Sequence, residues 1–423
     1  MLYSMNNPPW RLRRLQPSAG GRWRSAGTNS PQGLFLSGLA PFLRKVGAAS
    51  SRARVLLAAA TLAVTASGCS LFGSSRPEPP PYPQVSDNSA YKPAWTTSIG
   101  KAMPGFRPAV VGDALWVASV DGRVRRLSRE SGRIEQTFDV DEKLAAGVGS
   151  DGTMVVVVSR NGDVIALDDS GRRRWTVPLK GEVVTAPLVT DSAVVVRTVD
   201  GRIVALDRAG GTVKWTFQRT MPTLVLRQSS PLVPYGDTVF VGMPGARVMA
   251  LDLRLGAPRW ETVIATPRGA TELERLVDIV GAPALATGEV CAVAYQGKLA
   301  CLRTDDGRIV WTRDISSSSG LAVDGDTIVT VDGSDVIQAL QRDGSTLWKQ
   351  DGFVRRGLTA PVLLDGRVVF GDRFDNVSVL SQADGSPLAR FELDGPPAST
   401  PVAAGDTIYF QTLGGDVAAL PMR

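Results

Sequence analysis

Short apolar runs alternate with turn-forming residues along most of this chain, and the alternation recurs with a period of about 40 residues. One unit reads Asp200-Gly-Arg-Ile-Val-Ala-Leu-Asp207 and continues through Gly211 to Trp215. Related units lead in the same way to Trp175, Trp260, Trp311 and Trp348. A period of this length indicates a propeller or a repeat array rather than two ordinary domains.

Each unit is typical of a set of short strands, because it is rich in Val and Ile and is broken by Asp-Gly or Gly-Gly pairs. In the unit that ends at Trp215, four strands are predicted, over residues 186–189, 193–199, 202–207 and 213–217. Four short strands per unit make one blade of a β-propeller.

The number of blades follows from counting the weaker copies. Two of them begin at Asp121 and Asp375, and in these copies Gln136 and Ala389 replace the tryptophan. An eighth copy, residues 415–420, runs into the C-terminus without a tryptophan strand of its own.

The missing strand is supplied by Ala94-Trp-Thr-Thr-Ser98, at the other end of the repeat region. We expect this strand to complete the last blade and close the ring, since closure leaves no long open edge. The predicted fold of residues 94–423 is therefore all-β. It is an eight-bladed β-propeller with four antiparallel strands per blade, closed by the N-terminal strand joining the C-terminal blade.

The spacing of Ala205, Asp207, Gly211 and Trp215 resembles the tryptophan-docking motif of quinoprotein-type propellers. The resemblance implies that each tryptophan packs between neighbouring blades, and that its indole N–H donates to a backbone carbonyl. The tryptophans expected to dock blades in this way are Trp95, Trp175, Trp215, Trp260, Trp311 and Trp348. The Gly-His and Trp-Asp pairs of WD40 repeats are absent.

A leader precedes the repeats. Basic residues between Arg44 and Arg54 come before an apolar run, residues 55–66, which is followed by Ser67-Gly68-Cys69. A charged region, a short apolar region and small residues before a cleavage point are typical of a secretory signal. The apolar run is too short to span a bilayer, so residues 1–68 are interpreted as a signal region.

Cys69 and the residues before it resemble the lipobox of bacterial lipoproteins, although Ala66 stands where that family usually has Leu. The resemblance implies that Cys69 is lipidated and becomes the mature N-terminus, and that Ser70 directs sorting to the outer membrane. The alternative is an ordinary signal peptide with an incidental cysteine. Residues 69–93 are interpreted as the lipidated Cys69 and a flexible tether, rich in Ser, Pro and Asn.

Residues 1–43 fit neither a compact domain nor part of a normal signal. Our hypothesis is that translation starts downstream, which would leave this stretch untranslated or unstructured. Arg13-Arg14 is only a weak match to a twin-arginine export motif.

Composition excludes several classes of function. Residues 1–68 carry nine of the Lys and Arg residues and no acidic ones, so the rest of the chain has 38 basic and 41 acidic residues. No general basic surface for nucleic acid is therefore expected. The chain has no histidine and three cysteines, which excludes a histidine base, a histidine metal ligand and a four-cysteine zinc site. We expect no catalytic residues, no metal and no cofactor.

Two cysteines, Cys291 and Cys301, lie on predicted strands joined at Gln296-Gly297. A two-residue turn there would place Cys291 opposite Leu302, so the favoured interpretation is two small, buried core thiols. A cross-strand disulfide in an oxidising compartment stays open as the alternative.

Function is expected where the connections between blades are longest, because long loops on a rigid scaffold usually carry binding sites. The connection from Trp215 to Pro231 spans 16 residues and the one from Trp260 to Pro283 spans 23, against 12 from Trp175 to Pro187 and 13 from Trp348 to Pro361. These two connections are consecutive, so they should lie side by side.

The content of both long connections is typical of a protein interface, with apolar anchors rimmed by charge. The first carries Met221-Pro-Thr-Leu-Val-Leu-Arg227, and the second carries Thr271-Glu-Leu-Glu-Arg-Leu-Val-Asp278. The alternative is that the connections fold onto the propeller rim and bury their leucines, with Asp278 pairing with Arg227 or Arg275.

These two segments, together with the lipobox, the tether and the eight blades, resemble the BamB family of outer-membrane assembly lipoproteins. Members are accessory, non-catalytic subunits of the β-barrel assembly machinery, and their propeller binds the periplasmic POTRA domains of BamA. The resemblance implies a lipid-anchored scaffold at the periplasmic face of the outer membrane, where it supports folding and insertion of barrel proteins. Nascent outer-membrane proteins are implied as further partners.

In that family, two leucines and an arginine of the first loop and acidic residues of the second contact BamA. Leu224, Leu226, Arg227 and Asp278 match those positions, so the resemblance implies that they bind the partner. We add Glu272 and Arg275 of the second segment as further candidate partner-binding residues. Val280 departs from the family, which often has a second Asp there, and this weakens the expected electrostatic contact.

Two other functions stay open. A pyrroloquinoline-quinone dehydrogenase would share the propeller type, but it needs a quinone pocket, a Ca²⁺ site and a catalytic Asp. The mostly short connections and the lack of a vicinal cysteine pair argue against it. A scaffold for another periplasmic partner is the second alternative.

Overall fold

A computed structural model describes residues 77–85, 91–227 and 230–422 of this chain. The predicted signal region and Cys69 lie outside these residues. No helix in the described ranges is long and apolar enough to cross a membrane. Their regular structure consists of strands, and the first in the chain is β1 (Trp95–Ser98).

The first four blades each contain four strands that are consecutive in the chain. Blade 1 contains β2 (Ala109–Val111), β3 (Ala114–Ala118), β4 (Arg123–Ser128) and β5 (Ile134–Asp139); blade 2 contains β6 (Gly149–Ser150), β7 (Met154–Val158), β8 (Asp163–Asp168) and β9 (Arg173–Pro178). Blade 3 contains β10 (Leu188–Val189), β11 (Ala193–Arg197), β12 (Arg202–Asp207) and β13 (Val213–Gln218); blade 4 contains β14 (Val233–Tyr235), β15 (Thr238–Met243), β16 (Arg247–Asp252) and β17 (Pro258–Val263).

The next three blades follow the same order, and the last is completed by the first strand of the chain. Blade 5 contains β18 (Ala284–Ala286), β19 (Glu289–Val293), β20 (Leu299–Arg303) and β21 (Ile309–Arg313); blade 6 contains β22 (Gly320–Asp324), β23 (Thr327–Val331), β24 (Ile337–Gln341) and β25 (Thr346–Gln350). Blade 7 contains β26 (Val362–Leu364), β27 (Arg367–Gly371), β28 (Asn376–Ser381) and β29 (Pro387–Glu392); blade 8 contains β30 (Val402–Ala404), β31 (Thr407–Gln411) and β32 (Asp416–Pro421), with β1 as its fourth strand.

The ring closes as the sequence predicts. Strand β1 pairs antiparallel with β32, from Trp95 opposite Ala419 to Ser98 opposite Asp416. The first strands of blades 1 and 8 also contact each other. An all-β, eight-bladed propeller with four antiparallel strands per blade is therefore confirmed.

Antiparallel order gives the ring two distinct faces. The turns between first and second strands, and between third and fourth strands, lie on one face, which we call the hairpin face. The turns between second and third strands, and the connections from one blade to the next, lie on the other, which we call the crossing face. Both long connections therefore belong to the crossing face.

The core lies between blades rather than in one central layer. Second and third strands are buried along most of their length, and their side chains pack against the next blade. Val156 and Val164 of blade 2, for example, share one apolar cluster with Val194 and Val204 of blade 3. Burial of about 25 cal/mol per Å² of apolar surface makes these contacts the main source of stability.

Each of the six predicted docking tryptophans makes the same polar contact. Its indole Nε1–H donates to a backbone carbonyl in the turn between the third and fourth strands of the next blade. The acceptors, in order along the chain, are the carbonyls of Arg129, Arg208, Leu253, Thr304, Arg342 and Gln382, at 2.6–3.3 Å.

A glycine of the same turn lies directly on each indole ring. A Cβ added to Gly256, for example, would lie 2.4 Å from the ring of Trp215, and the residue has a φ of +70°. Both the contact and the left-handed backbone therefore require glycine here.

The two blades without a docking tryptophan have different explanations. In blade 1, Phe138 replaces the missing ring of position 136 and packs on Gly171 of blade 2. In blade 7, Ala389 faces blade 8, whose third and fourth strands come from opposite ends of the chain. That blade has no turn between those strands, so a tryptophan would have nothing to dock on.

The hairpin with the two cysteines differs from the predicted one. Cys291 lies directly opposite Cys301, and the two form a disulfide. Ala294 still pairs with Lys298, where its N–H donates to the Lys298 carbonyl at 3.0 Å. The loop thus has three residues rather than two, with Gln296 at a φ of +50°. The predicted two-residue turn, and with it the favoured pair of free thiols, was wrong.

The described part of the predicted tether also differs from the expectation. Residues 77–85 lie against blades 6 and 7 instead of being free, and Tyr82 packs into the apolar cluster that contains Phe353. Proline-rich composition predicted an unattached segment because it carries no signal of its own for a docking partner.

Replacing Gly256 with alanine should lower the free energy of unfolding by about 2 kcal/mol or more, through overpacking against Trp215 and a strained left-handed residue. Gly288→Ala is the matched control. Gly288 has a φ of +73°, but nothing lies within 4 Å of an added Cβ. Denaturant unfolding of both variants measures the difference, and equal losses would contradict the tryptophan–glycine contact as a source of stability.

Candidate functional site

The two long connections flank blade 4 on the crossing face. The first, residues 219–232, joins blades 3 and 4, and the second, residues 264–283, joins blades 4 and 5. Residues 228–229 lie outside the described ranges. Both connections contain predicted partner-binding residues, and the structure brings the two groups to one rim.

Asp278 holds the two connections together. Its Oδ2 accepts a hydrogen bond from the backbone N–H of Leu226 at 2.7 Å, and its Oδ1 accepts one from Gly245 at 3.2 Å. Its backbone also bridges Pro244 of blade 4 and Tyr295 of blade 5. The side chain of Asp278 thus joins the first connection to the second and to a turn of blade 4, and its backbone adds the contact with blade 5.

The Asp278 carboxylate is not a surface charge, because the residue is only 2% exposed. Burial raises its pKa above the ordinary value, and the hydrogen bonds from Leu226 and Gly245 and the charge of Arg197 oppose that rise. A buried carboxylate with two backbone donors positions its neighbours. The predicted alternatives, pairing of Asp278 with Arg227 or Arg275, do not occur.

Arg197 lies beneath the two connections as a buried cation. Its Nη1 donates to the carbonyls of Ser230 and Gly242, both at 2.8 Å. Burial lowers its pKa to about 10, and the charge of Asp278 acts in the opposite direction. The pair places opposite charges under the rim, so removing either one would leave the other uncompensated.

Small residues make room for this arrangement. A Cβ added to Gly242, in β15, would lie 2.2 Å from Ile279 of the second connection. Residues 276–280 are all buried, so Val280, at the position where the resemblance led us to expect an acidic residue, lies in the core. The buried residues 276–280 therefore anchor the exposed part of the second connection to the propeller.

The first connection presents its predicted residues at the surface. Leu224 is 40% exposed, Leu226 is half-buried and Arg227 is exposed. The guanidinium of Arg227 pairs with Glu182 of the preceding connection, with Nη2 and Oε1 separated by 2.5 Å. This pairing raises the pKa of Arg227. No sequence pattern singles out Glu182, which lies in an ordinary short connection.

The second connection presents a turn of charged residues. The carboxylate of Glu274 accepts hydrogen bonds from the N–H groups of Ala270 and Thr271, which lower its pKa. Glu272 and Arg275 are exposed and pair with each other. Beside them Leu273 is 65% exposed, whereas Leu276 is buried. The sequence pattern predicted both leucines as anchors of one interface, whereas the structure places one at the surface and the other in the core.

A cleft of about 330 Å³ lies beside the first connection, over blade 4. Its apolar lining includes Met221, which is half-buried, and Met243 and Met249, which are almost fully buried. Arg219 and Arg247 at its edge share the carboxylate of Glu261. Methionine side chains adapt to irregular apolar partners, which suits a rim that binds protein. No single stretch of sequence indicates the cleft, because its methionines come from three separate segments.

Among the described residues, one group has the chemical types of a metal site: Glu289 with Cys291 and Cys301. The cysteines are bonded to each other, so their sulfurs are not available as thiolate ligands.

The closed ring of four-stranded blades with docked tryptophans defines the class of this protein, a quinoprotein-type eight-bladed propeller. Solved structures of this class include a quinohemoprotein alcohol dehydrogenase from Comamonas testosteroni. It is 12% identical with a TM-score of 0.62, covering 80% of this chain and 78% of the other. At that identity the likeness shows the fold alone.

More similar proteins define the family. The model of the family described as outer membrane protein assembly factor BamB matches residues 120–350 and 333–422. The BamB of Bordetella pertussis is 39% identical over 344 residues, covering 79% of this chain and 89% of the relative. The BamB of Burkholderia pseudomallei is 37% identical over 369 residues, covering 86% and 96%.

A solved structure agrees with this assignment. The crystal structure of BamB from Moraxella catarrhalis is 26% identical with a TM-score of 0.73, covering 78% of this chain and 99% of that one. The chain belongs to the BamB family of outer membrane protein assembly factors. The resemblance drawn from the two connections is thereby confirmed at the level of the family.

Removing the Asp278 carboxylate should free the first connection without changing its surface residues. In Asp278→Ala we expect the amide of Leu226 to exchange with solvent at least about tenfold faster, since a hydrogen bond to a charged group contributes about 1.5–3 kcal/mol. Hydrogen exchange read by mass spectrometry measures this. Asp314→Ala, at a side chain that is 88% exposed, is the control, and an unchanged Leu226 amide would show that Asp278 does not hold the connection.

Proposed function

We propose that this chain is a non-catalytic scaffold subunit of the β-barrel assembly machinery, and that it binds the periplasmic POTRA domains of BamA. The observation that carries the proposal is the rim formed by Leu224, Leu226 and Arg227. These side chains match the positions that the family uses for BamA. They are accessible, and the buried Asp278 holds their backbone in place.

The rim has the physical character of an interface hot spot. Leu224 in the first connection and Leu273 in the second offer exposed apolar surface, and Arg227 of the first connection adds a planar donor. Energy at interfaces is concentrated in a few such residues that become fully desolvated on binding. The cleft lined by methionines lies beside them and would take apolar side chains of the partner.

The six predicted partner-binding residues take unequal roles in this proposal. Leu224, Leu226 and Arg227 make direct contact, whereas Asp278 acts through the backbone that it holds. Glu272 and Arg275 form an exposed pair, and such pairs contribute about 0–1 kcal/mol. We therefore assign Glu272 and Arg275 to the edge of the interface.

The location follows from the leader. Lipidation of Cys69 would hold the propeller at the periplasmic face of the outer membrane, where BamA has its POTRA domains. The scaffold would there support folding and insertion of outer-membrane barrel proteins, with nascent chains as further partners. The absence of histidine from the whole chain excludes enzymes that use a histidine base.

The triple variant Leu224→Ala, Leu226→Ala, Arg227→Ala should lose about 2 kcal/mol or more of binding free energy for purified POTRA domains, as hot-spot residues do. Calorimetry with the soluble protein, residues 70–423, measures the affinity. Circular dichroism and thermal unfolding establish that the variant keeps the propeller.

The matched control is Leu347→Ala, because Leu347 is 42% exposed, like Leu224, but lies on β25 of blade 6. Its affinity should equal that of the unchanged protein. If the triple variant and the control bind equally well, the rim is not the site. If the unchanged protein does not bind POTRA domains, the partner is wrong.

A further inference from the structure

A nine-residue segment before the propeller, Pro77-Glu-Pro-Pro-Pro-Tyr-Pro-Gln-Val85, docks on the crossing face of blades 6 and 7. It contacts the connection between these blades and the turn between β27 and β28. We call residues 77–85 the docking segment. Nothing in the docking of the propeller's own blades requires it, so it calls for a separate explanation.

Tyr82 is the centre of the contact. Two guanidinium groups contact its ring, with Arg356 at 3.2 Å and Arg390 at 4.2 Å from the ring centroid. Its hydroxyl donates to Oδ2 of Asp372 at 2.6 Å. Phe353 meets the ring edge-on at 6.5 Å. A tyrosine stacked on arginine and bonded to a buried carboxylate is a specific arrangement, since each contact restricts a different part of the side chain.

The surroundings of Tyr82 are built into the propeller. Arg356 is only 4% exposed and also donates to the carbonyl of Pro80. Asp372 is buried, and its other oxygen accepts from the backbone of the β27–β28 turn. Burial and the Asp372 carboxylate raise the pKa of the Tyr82 hydroxyl, which therefore stays protonated and able to donate.

The backbone of the segment is recognised as well. The Nε of Arg355 donates to the carbonyl of Glu78 at 3.1 Å. A Cβ on Gly352 would lie 2.5 Å from the Pro83 ring. Prolines remove N–H donors and favour an extended chain, so a surface that offers arginine donors to carbonyls suits this sequence. An extended proline-rich segment also loses little entropy on docking.

We propose that the docking segment fixes the length and the exit point of the membrane tether. The proposal rests on lipidation of Cys69, which is part of the proposed function. Only seven residues lie between Cys69 and Pro77, so the eight residue steps reach at most about 29 Å when fully extended. With the segment undocked, the tether would run to Tyr91, whose hydroxyl accepts a hydrogen bond from Arg367 of blade 7, and would reach about 79 Å.

The exit point matters as much as the length. The docking segment lies on the crossing face, which also carries Leu224, Leu226 and Arg227. A short tether leaving from that face turns it toward the lipid surface and turns the hairpin face away. The docked segment thus restricts the orientation of the partner rim before any partner binds.

Energy transfer in vesicles tests the orientation. The full-length lipoprotein is reconstituted in vesicles of phosphatidylethanolamine and phosphatidylglycerol that contain a headgroup-labelled acceptor lipid. A donor dye is attached at Ser334→Cys on the crossing face, or at Asp326→Cys on the hairpin face of the same blade. Five-residue strands of about 17 Å separate the two positions. We expect clearly greater transfer from position 334 than from position 326.

Variants connect that difference to the docking segment. Tyr82→Ala should reduce the difference between the two positions by at least half, whereas Tyr235→Ala, at an exposed tyrosine of blade 4, should leave it unchanged. A flexible insertion of about 20 residues between Arg76 and Pro77 keeps the docking contacts, and should lower transfer from both positions because flexible linkers lengthen the reach.

The outcomes separate this proposal from the proposed function. Equal transfer from both positions in the unchanged protein, or an unaltered difference in Tyr82→Ala, would overturn the role of the docking segment and leave lipid anchoring in place. Failure of the unchanged protein to float with the vesicles would overturn both. Binding of the soluble protein to POTRA domains needs no tether, so it should be the same in Tyr82→Ala.

Discussion

The contact between an indole ring and a glycine of the next blade is the constraint on which the rest of this protein depends. It sets the distance between blades, because no larger residue fits under the ring, and it sets their orientation, because the indole N–H reaches a fixed carbonyl. Six repetitions of this contact hold the four-stranded sheets in a ring. The ring sets the spacing of the connections on the crossing face, and with it the positions of Leu224, Leu226 and Arg227.

Much of the fold could be predicted from the sequence because the same pattern of apolar runs, turn residues and tryptophan recurs in many blades. The strands around Trp215 and the closing strand at Trp95 were found in this way. The exception at Ala389 has a structural cause, since the neighbouring blade has no turn for a tryptophan to dock on. The hairpin at Gln296 has the same three-residue loop as other blades, where the N–H of Ser119, Ser159 or Thr198 donates to the carbonyl four residues further on. The Gln296-Gly297 pair taken alone suggested a two-residue turn, and a shift of one residue was enough to separate Cys291 from Cys301.

The candidate site could be predicted only in part, because a pattern of residue types does not report burial. Leu224 and Asp278 were both taken as contact residues, yet one lies at the surface and the other lies beneath it. The reason is long-range: the carboxylate is satisfied by the Leu226 amide from another connection and faces Arg197 from another blade. The docking of Tyr82 was missed for the same reason, since its partners lie far along the chain.

Closure of the ring by β1 and β32 also determines when the molecule can finish folding. Trp95 is made near the beginning of the propeller and Ala419 near its end, so their pairing waits for almost the whole chain. Until then the first strand has no partner and blade 8 is incomplete, while blades 1 to 7 have every strand they need. Non-local pairing of this kind slows folding and leaves a strand edge exposed meanwhile. Only a chain that has both ends of the propeller can therefore close the ring, since a chain that lacks β1 or β32 cannot form this pairing.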